Sequence, residues 1–116
     1  MGQLTTHILD LTQGRPASNV QIDVYNVDGE MITFLQSSRT NGDGRLDAPL
    51  LVGMNFYEGI YELHVHIGDY FKRTNHSSDL TFLDIVTVRF RVADAEQNYH
   101  VPLLVSPFGY QVYRGS

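Results

Sequence analysis

The chain has 116 residues, a formal net charge of -5 and no cysteine. This length fits one ordinary domain, and we treat residues 1–116 as a single domain. Without cysteine there are no disulfides, thiol nucleophiles or thiolate metal sites. The negative charge argues against a nucleic-acid partner, because phosphate binding needs a basic patch. We find no apolar run of membrane-spanning length and no signal-peptide pattern, so we expect no membrane association and a cytoplasmic location.

Short alternating runs, rich in β-branched and aromatic residues, predict β-strands separated by Gly, Pro, Asn and Asp. The predicted strands are residues 4–11, 20–27, 31–40, 59–67, 85–92, 99–105 and 110–114. In the first strand Thr5, His7 and Leu9 share one face. Asp28-Gly29 predicts a tight hairpin turn. Seven or eight short strands at regular spacing predict an all-β fold, a two-sheet antiparallel β-sandwich.

Two features interrupt this pattern. The alternation fails over residues 69–79, where Tyr70-Phe71-Lys72-Arg73 predicts one short helix. Pro102 has no N–H to give to a strand ladder, so we expect it at a sheet edge or a bulge. Edge strands of a sandwich need protection, and pairing them edge to edge in a symmetric oligomer is one way to provide it.

The strongest turn signal in the chain is Asn41-Gly42-Asp43-Gly44, followed at once by Arg45. Two glycines permit positive φ angles, and Asn and Asp side chains can bond nearby backbone. A rigid turn here would hold Arg45 in one direction. The turn lacks the spaced carboxylates and terminal Glu of a calcium loop.

Taken one at a time, the polar candidates favour ordinary structural roles. His7 and His100 in strands are more often hydrogen-bonded structural histidines, and Arg45 and Arg114 more often surface cations. Three further residues share one face of a strand and could contribute to a zinc site, namely Glu62, His64 and His66. That spacing is common by chance, so we favour a solvated sheet face there and expect no metal and no cofactor.

The C-terminal segment changes this balance. It is apolar and aromatic where a terminus usually frays. Together with earlier motifs it resembles the 5-hydroxyisourate hydrolases, the transthyretin-related enzymes of urate breakdown. The motifs are Thr6-His7-Ile8-Leu9-Asp10, Gly14-Arg15-Pro16-Ala17, Thr40-Asn41-Gly42-Asp43-Gly44-Arg45, His100-Val101-Pro102-Leu103-Leu104, Ser106-Pro107-Phe108-Gly109-Tyr110 and Tyr113-Arg114-Gly115-Ser116.

The resemblance implies a transthyretin-like sandwich and a purine-pathway hydrolase that acts on a cyclic amide. The implied reaction converts 5-hydroxyisourate to 2-oxo-4-hydroxy-4-carboxy-5-ureidoimidazoline. The implied assembly is a homotetramer, a dimer of dimers with sites at the dimer–dimer interface. The residues matched to the site are His7, Arg45 and His100 as catalytic groups, with Tyr113, Arg114, Gly115 and Ser116 as the substrate-binding or tail motif.

Some positions depart from the family pattern. Asn98 stands where many members have a further histidine, and Gln111-Val112 replaces the usual Ser-Thr before the terminal motif. Two other functions stay open: a transthyretin-type carrier that binds a small hydrophobic ligand in a central channel, and a plain interaction module. Histidine suits acid–base roles near neutral pH and arginine suits carbonyl-rich or anionic substrates, which favours the hydrolase.

Overall fold

The computed structural model describes residues 1–75 and 82–116, which form strands, one α-helix and a 3-10 turn. The strands are β1 (Gln3–Asp10), β2 (Arg15–Pro16), β3 (Gln21–Asp28), β4 (Met31–Arg39), β5 (Leu51–Val52), β6 (Gly59–Val65), β7 (Val86–Val92), β8 (Tyr99–Val105) and β9 (Tyr110–Val112). The helix is α1 (Ile67–Asn75), and the 3-10 turn is Gly53–Asn55. Within these described ranges, no helix is long and apolar enough to cross a membrane.

The strands form two sheets. The first has the order β2-β1-β8-β9, with β5 also pairing with β1, and the second has the order β4-β3-β6-β7. The predicted two-sheet β-sandwich is confirmed. Its pairing is antiparallel except between β1 and β8, which run parallel with Thr5 opposite His100. This long-range pair brings the two ends of the chain together.

Alternation of side chains builds the core. In β1, Leu4, Thr6, Ile8 and Asp10 are buried, while the residues between them are half-exposed. Buried side chains of both sheets meet in one hydrophobic cluster, which helix α1 completes with Tyr70 and Phe71. Because the strand period is 2, burying one face of β1 turns the other face outward.

The local predictions hold with small shifts. The helix extends beyond the predicted residues 70–73 in both directions, to Ile67–Asn75. The hairpin after β3 has Asp28 paired with Met31, so its two turn residues are Gly29 and Glu30, with Gly29 at a φ of 62°. Short strands β2 and β5 were not expected as separate elements.

The position of Pro102 differs from the prediction. It lies in β8, between β1 and β9, and the register of the tail is unshifted across it, so the predicted edge or bulge is wrong. Val112 pairs with Leu103 on one side of it and Gly115 bridges His100 on the other. Because Pro102 has no N–H, the regular β8–β9 ladder ends at the Leu103–Val112 pair. The tail nevertheless continues beside β8.

Candidate active site

Two histidines lie on the outer face of the five-stranded sheet. His7 is in β1 and His100 is in the neighbouring strand β8. In the parallel register Thr5 lies opposite His100, and His7 lies opposite Pro102. The alternation that buries Leu4 and its partners is what turns these side chains outward. The sheet therefore presents both imidazoles on one rigid surface.

The Gly-rich turn is held internally by one asparagine. The side-chain oxygen of Asn41 accepts hydrogen bonds from the backbone N–H of Asp43 at 2.9 Å and of Arg45 at 3.2 Å. The N–H of Gly44 donates to the backbone oxygen of Asn41 at 3.0 Å. Gly44 has a φ of +73°, a conformation that favours glycine. The predicted turn is confirmed.

The same turn is joined to β1. The N–H of Ile8 donates to the oxygen of Gly44 at 2.8 Å, and His7 and Arg45 form an isolated antiparallel bridge. Arg45 therefore lies beside His7, although 38 positions separate them in the printed sequence. The turn therefore places the Arg45 cation close to the histidines.

An open cavity of about 470 Å³ lies over this surface. Its lining residues are Gln3, Thr5, His7, Arg45, Asn98, His100, Pro102, Tyr113, Gly115 and Ser116. Six of the seven residues singled out from the sequence are thus brought together. Gln3 and Thr5 were not singled out, and Asn98 was named only as a departure from the family pattern. The alternation of β1 could have found Gln3 and Thr5, because they share the face of His7.

Arg114 is the residue that does not line this cavity. Its guanidinium lies over the ring of Tyr99, 4.0 Å from the ring centroid. It also donates to the side-chain oxygen of Gln97 at 3.0 Å and to the backbone oxygen of Asn98 at 3.2 Å. Tyr99 is a core residue on the inner face of β8. Arg114 therefore fixes the tail from the side opposite the histidines.

His7 is held by a backbone carbonyl. Its Nε2 lies 3.0 Å from the oxygen of Asp43. A carbonyl oxygen can only accept, so Nε2 carries the proton in this hydrogen bond. Burial and the nearby Arg45 cation lower the pKa of His7, and the hydrogen bond to Asp43 opposes them in part. Neutral His7 therefore has its basic lone pair on Nδ1.

His100 is held by a hydroxyl. The Oγ1 atom of Thr5 lies 2.8 Å from His100 Nδ1. Burial lowers the pKa of His100, and the positive charge of Arg45 and the neighbouring His7 lower it further. Desolvation and a nearby cation both disfavour the imidazolium form. Both histidines are therefore shifted toward the neutral form that can accept a proton.

The three residues considered for a zinc site make other contacts. His64 Nε2 lies 2.7 Å from a carboxylate oxygen of Glu62, whereas His66 Nε2 lies 2.9 Å from Asp23 Oδ2. Arg89 also bonds the Glu62 carboxylate, at 2.8 Å. Glu62 is 5% exposed, so the expectation of a solvated face is wrong for it. Among the residues that the structure describes, no group of His, Asp or Glu is arranged to hold a metal ion.

The chain is similar to known proteins over nearly its whole length. The family model described as HIUase/Transthyretin family matches residues 4–115. The chain is similar to "5-hydroxyisourate hydrolase 2" of Rhizobium meliloti, with 49% identity over 99% of this chain and 97% of the relative. It is also similar to the solved 5-hydroxyisourate hydrolase of Klebsiella pneumoniae, with a TM-score of 0.83 and 30% identity over the full length of both chains.

A second solved structure, an (S)-allantoin synthase, superposes with a TM-score of 0.90 at 39% identity. The match covers 99% of this chain and 44% of that one, so this chain spans less than half the length of that protein. The resemblance based on the sequence motifs is therefore confirmed at the level of the family. This chain belongs to the HIUase/Transthyretin family.

Proposed function

We propose that this protein is a cyclic amide hydrolase that converts 5-hydroxyisourate to 2-oxo-4-hydroxy-4-carboxy-5-ureidoimidazoline in urate degradation. The observation that carries the proposal is one cavity in which Arg45 lies with two histidines of lowered pKa, His7 and His100. Full-length relatives that share nearly half of its residues bear the name 5-hydroxyisourate hydrolase. No cofactor takes part in the proposed reaction.

The proposed chemistry is attack of water on a ring carbonyl. A carbon–oxygen bond forms, the ring carbon–nitrogen bond breaks, and one proton of the water passes to the leaving nitrogen. His7 and His100 activate the water and move this proton, because a neutral imidazole is an effective base near pH 7. The lowered pKa values keep both rings neutral for the first of these steps.

Arg45 binds and polarises the substrate oxygens. Within residues 1–75 and 82–116 its guanidinium makes no hydrogen bond or ion pair of its own. Its backbone, in contrast, is hydrogen-bonded to Asn41 at the start of the turn. A cation near a developing oxyanion stabilises the transition state more than the ground state. Its charge also lowers the pKa of the two histidines, so one residue serves both functions.

The tail motif closes one side of the cavity. Tyr113, Gly115 and Ser116 line it, and we propose that Ser116 fixes the tail or orients a histidine through its hydroxyl. For Arg114 the contacts with Tyr99 and Gln97 favour an anchoring role over direct substrate binding. Residues appended after Ser116 should therefore lower activity, because they extend a segment that already borders the site.

We propose a homotetramer, a dimer of dimers with the cavity at the dimer–dimer interface. In support, β7 and β9 are the last strands of their sheets, and residues of both line a common groove. A two-fold axis beside this groove would extend both sheets at once and cover both edges. Tyr110, Val112 and Tyr113 are exposed apolar side chains of this region. Sedimentation of an active monomer would contradict the assembly.

The cytoplasm is the proposed location. A chain without cysteine gains nothing from an oxidising compartment, since it has no disulfide to form. Fractionation of the native host, with activity in the membrane or external fraction, would contradict this placement.

The carrier function is the alternative, and the cavity chemistry argues against it. A site for a hydrophobic ligand is lined mainly by apolar groups. Here two histidines, Arg45, Asn98 and Ser116 line the cavity. A carrier would have no use for histidines whose pKa values are tuned toward the neutral form.

One assay separates these functions. Freshly generated 5-hydroxyisourate is followed by its ultraviolet decay, with and without protein, against the spontaneous rate. The hydrolase accelerates the decay, whereas a carrier or an interaction module does not. His7→Ala, His100→Ala and Arg45→Ala should each reduce the acceleration, by roughly 100-fold or more for a lost acid–base group. Near wild-type turnover in all three variants would refute the assignment of the site.

A further inference from the structure

Thr5 bonds His100 across two neighbouring strands. Its Oγ1 atom lies 2.8 Å from Nδ1 of the ring, and the two residues are 95 positions apart. They are direct partners in the parallel register of β1 and β8. Both also line the cavity that holds His7 and Arg45. The hydrogen bond is therefore part of the candidate site and is fixed by the sheet itself.

The two histidines of the cavity have partners of different kinds. The partner of His7 is the backbone oxygen of Asp43, which can only accept a hydrogen bond, so this ring keeps its proton on Nε2. The partner of His100 is a hydroxyl, which donates or accepts according to its rotation. The ring of His100 can therefore keep its hydrogen bond to Thr5 whether or not Nδ1 carries a proton.

We propose that Thr5 is a positioning residue for His100: its hydroxyl holds the ring through Nδ1 and leaves Nε2 as the atom that exchanges the proton. This inference rests on the proposed hydrolase function. Before reaction Nδ1–H donates to Thr5 Oγ1, and the lone pair of Nε2 faces the water. As the water oxygen bonds to the ring carbon of the substrate, its proton passes to Nε2. Nε2–H then gives this proton to the leaving nitrogen, and His100 returns to its first state.

The test compares Thr5→Val with Thr5→Ser. Valine has nearly the shape of threonine and suits a strand, but it lacks the hydroxyl, whereas serine keeps it. We expect Thr5→Val to lower kcat roughly tenfold, the factor expected for one ordinary hydrogen bond, with KM little changed. Thr5→Ser should restore most of kcat.

A matched control lies one residue along the same strand. Thr6 points to the opposite face, is 2% exposed and donates to the backbone oxygen of Val101 at 2.7 Å. Thr6→Val is the same kind of substitution, but it removes a hydroxyl from the core side of β1. It should lower the free energy of unfolding while leaving kcat near that of the wild type, because it does not touch His100.

A second readout does not need substrate. The ¹⁵N chemical shifts of the His100 ring report which nitrogen carries the proton. In the neutral wild-type protein we expect Nδ1 to be protonated, and in Thr5→Val we expect the ratio of the two tautomers to change, with Thr5→Ser close to the wild type.

The proposal is overturned if Thr5→Val keeps full kcat, or if it loses kcat while the ring shifts of His100 stay those of the wild type. Failure of the hydrolase function is recognised separately: the wild type would then not accelerate the decay of 5-hydroxyisourate, while the ring shifts would still decide the role of Thr5.

Discussion

Gly115 lies directly against the ring of His100. A Cβ atom built on Gly115 would be 2.7 Å from His100 Cδ2 and 3.3 Å from Pro102 Cγ. The backbone N–H of Gly115 also donates to the oxygen of His100 at 2.7 Å. The absent side chain thus lets the tail approach the strand that carries a proposed catalytic histidine. The terminal motif contacts the candidate site at this point.

Gly115→Ala should therefore displace either the tail or the imidazole. We expect kcat/KM for 5-hydroxyisourate to fall about 10- to 100-fold, because small displacements of catalytic groups have effects of this size. Gly109→Ala is the matched control, since its Cβ would meet nothing closer than Ser106 Oγ at 4.0 Å. Full activity of Gly115→Ala beside an equally active Gly109→Ala would show that the contact is irrelevant.

Gly44 should matter for stability as well as for the site. Its φ is +73°, and an added Cβ would be 2.4 Å from the backbone oxygen of Ile8. Both effects oppose any side chain, so we expect Gly44→Ala to lower the free energy of unfolding by more than about 2 kcal/mol. Gly42→Ala has open space around its Cβ and should change it by less than about 1 kcal/mol. Urea unfolding of the two variants measures the difference, and equal stabilities would contradict the prediction.

The pH dependence of activity and of stability should reflect the burial of the two histidines and the charge of Arg45. The pKa values of His7 and His100 lie below their ordinary value of 6.5. The acid limb of kcat/KM should therefore have an apparent pKa below 6.5, since the neutral rings are the active form. Below pH 6.5 the unfolded chain binds protons at these positions more readily than the folded protein, so stability falls as the pH falls. Well above pH 6.5 both states are deprotonated at these positions, and this contribution is constant.

Arg45→Gln should raise the pKa of both histidines, because their positive forms lose a nearby cation. Titration of the histidine ring signals by NMR measures this without substrate. Arg91→Gln is the control, because it removes one positive charge from the opposite sheet. It should leave the pKa values of both histidines unchanged. Unchanged histidine titrations in Arg45→Gln would mean that the charge of Arg45 does not contribute to the lowered pKa values.

Glu62 should contribute stability that depends on pH. Glu62 is 5% exposed, and its carboxylate bonds both His64 and Arg89. The hydrogen bond to His64 is the largest of the effects that lower its pKa below 4.5. At pH 7 we expect Glu62→Gln to lower the free energy of unfolding by about 1–3 kcal/mol.

The stabilising effect of Glu62 is present above pH 4.5 and is lost as the pH falls through the lower folded-state pKa. The difference between wild type and Glu62→Gln should therefore shrink in acid. Urea unfolding at pH 7 and below pH 4 tests this, with the exposed Glu58→Gln as the control. A difference that persists unchanged in acid would point to packing and not to charge.

Much of this protein was determined by the sequence itself. Alternating apolar residues define the strands, and the period of 2 places Thr5 and His7 on the face opposite Leu4 and Ile8. The Gly-rich turn before Arg45 follows from local side-chain and backbone bonds. Such features depend on residues close together in the chain, so a linear reading can find them.

The neighbours of each strand were decided by the tertiary structure. Alternation sets the face of a strand but not the strand that lies beside it, and the β1–β8 pair joins residues 95 positions apart. That pairing gives His100 its contact with Thr5. A separate antiparallel bridge between β1 and the Gly-rich turn brings Arg45 beside His7. The tail, which runs beside β8, carries Arg114 to the inner side, against Tyr99. The candidate site residues could be predicted from the sequence motifs. Their hydrogen-bond partners and pKa shifts depend on burial and on long-range register, which a local pattern does not encode.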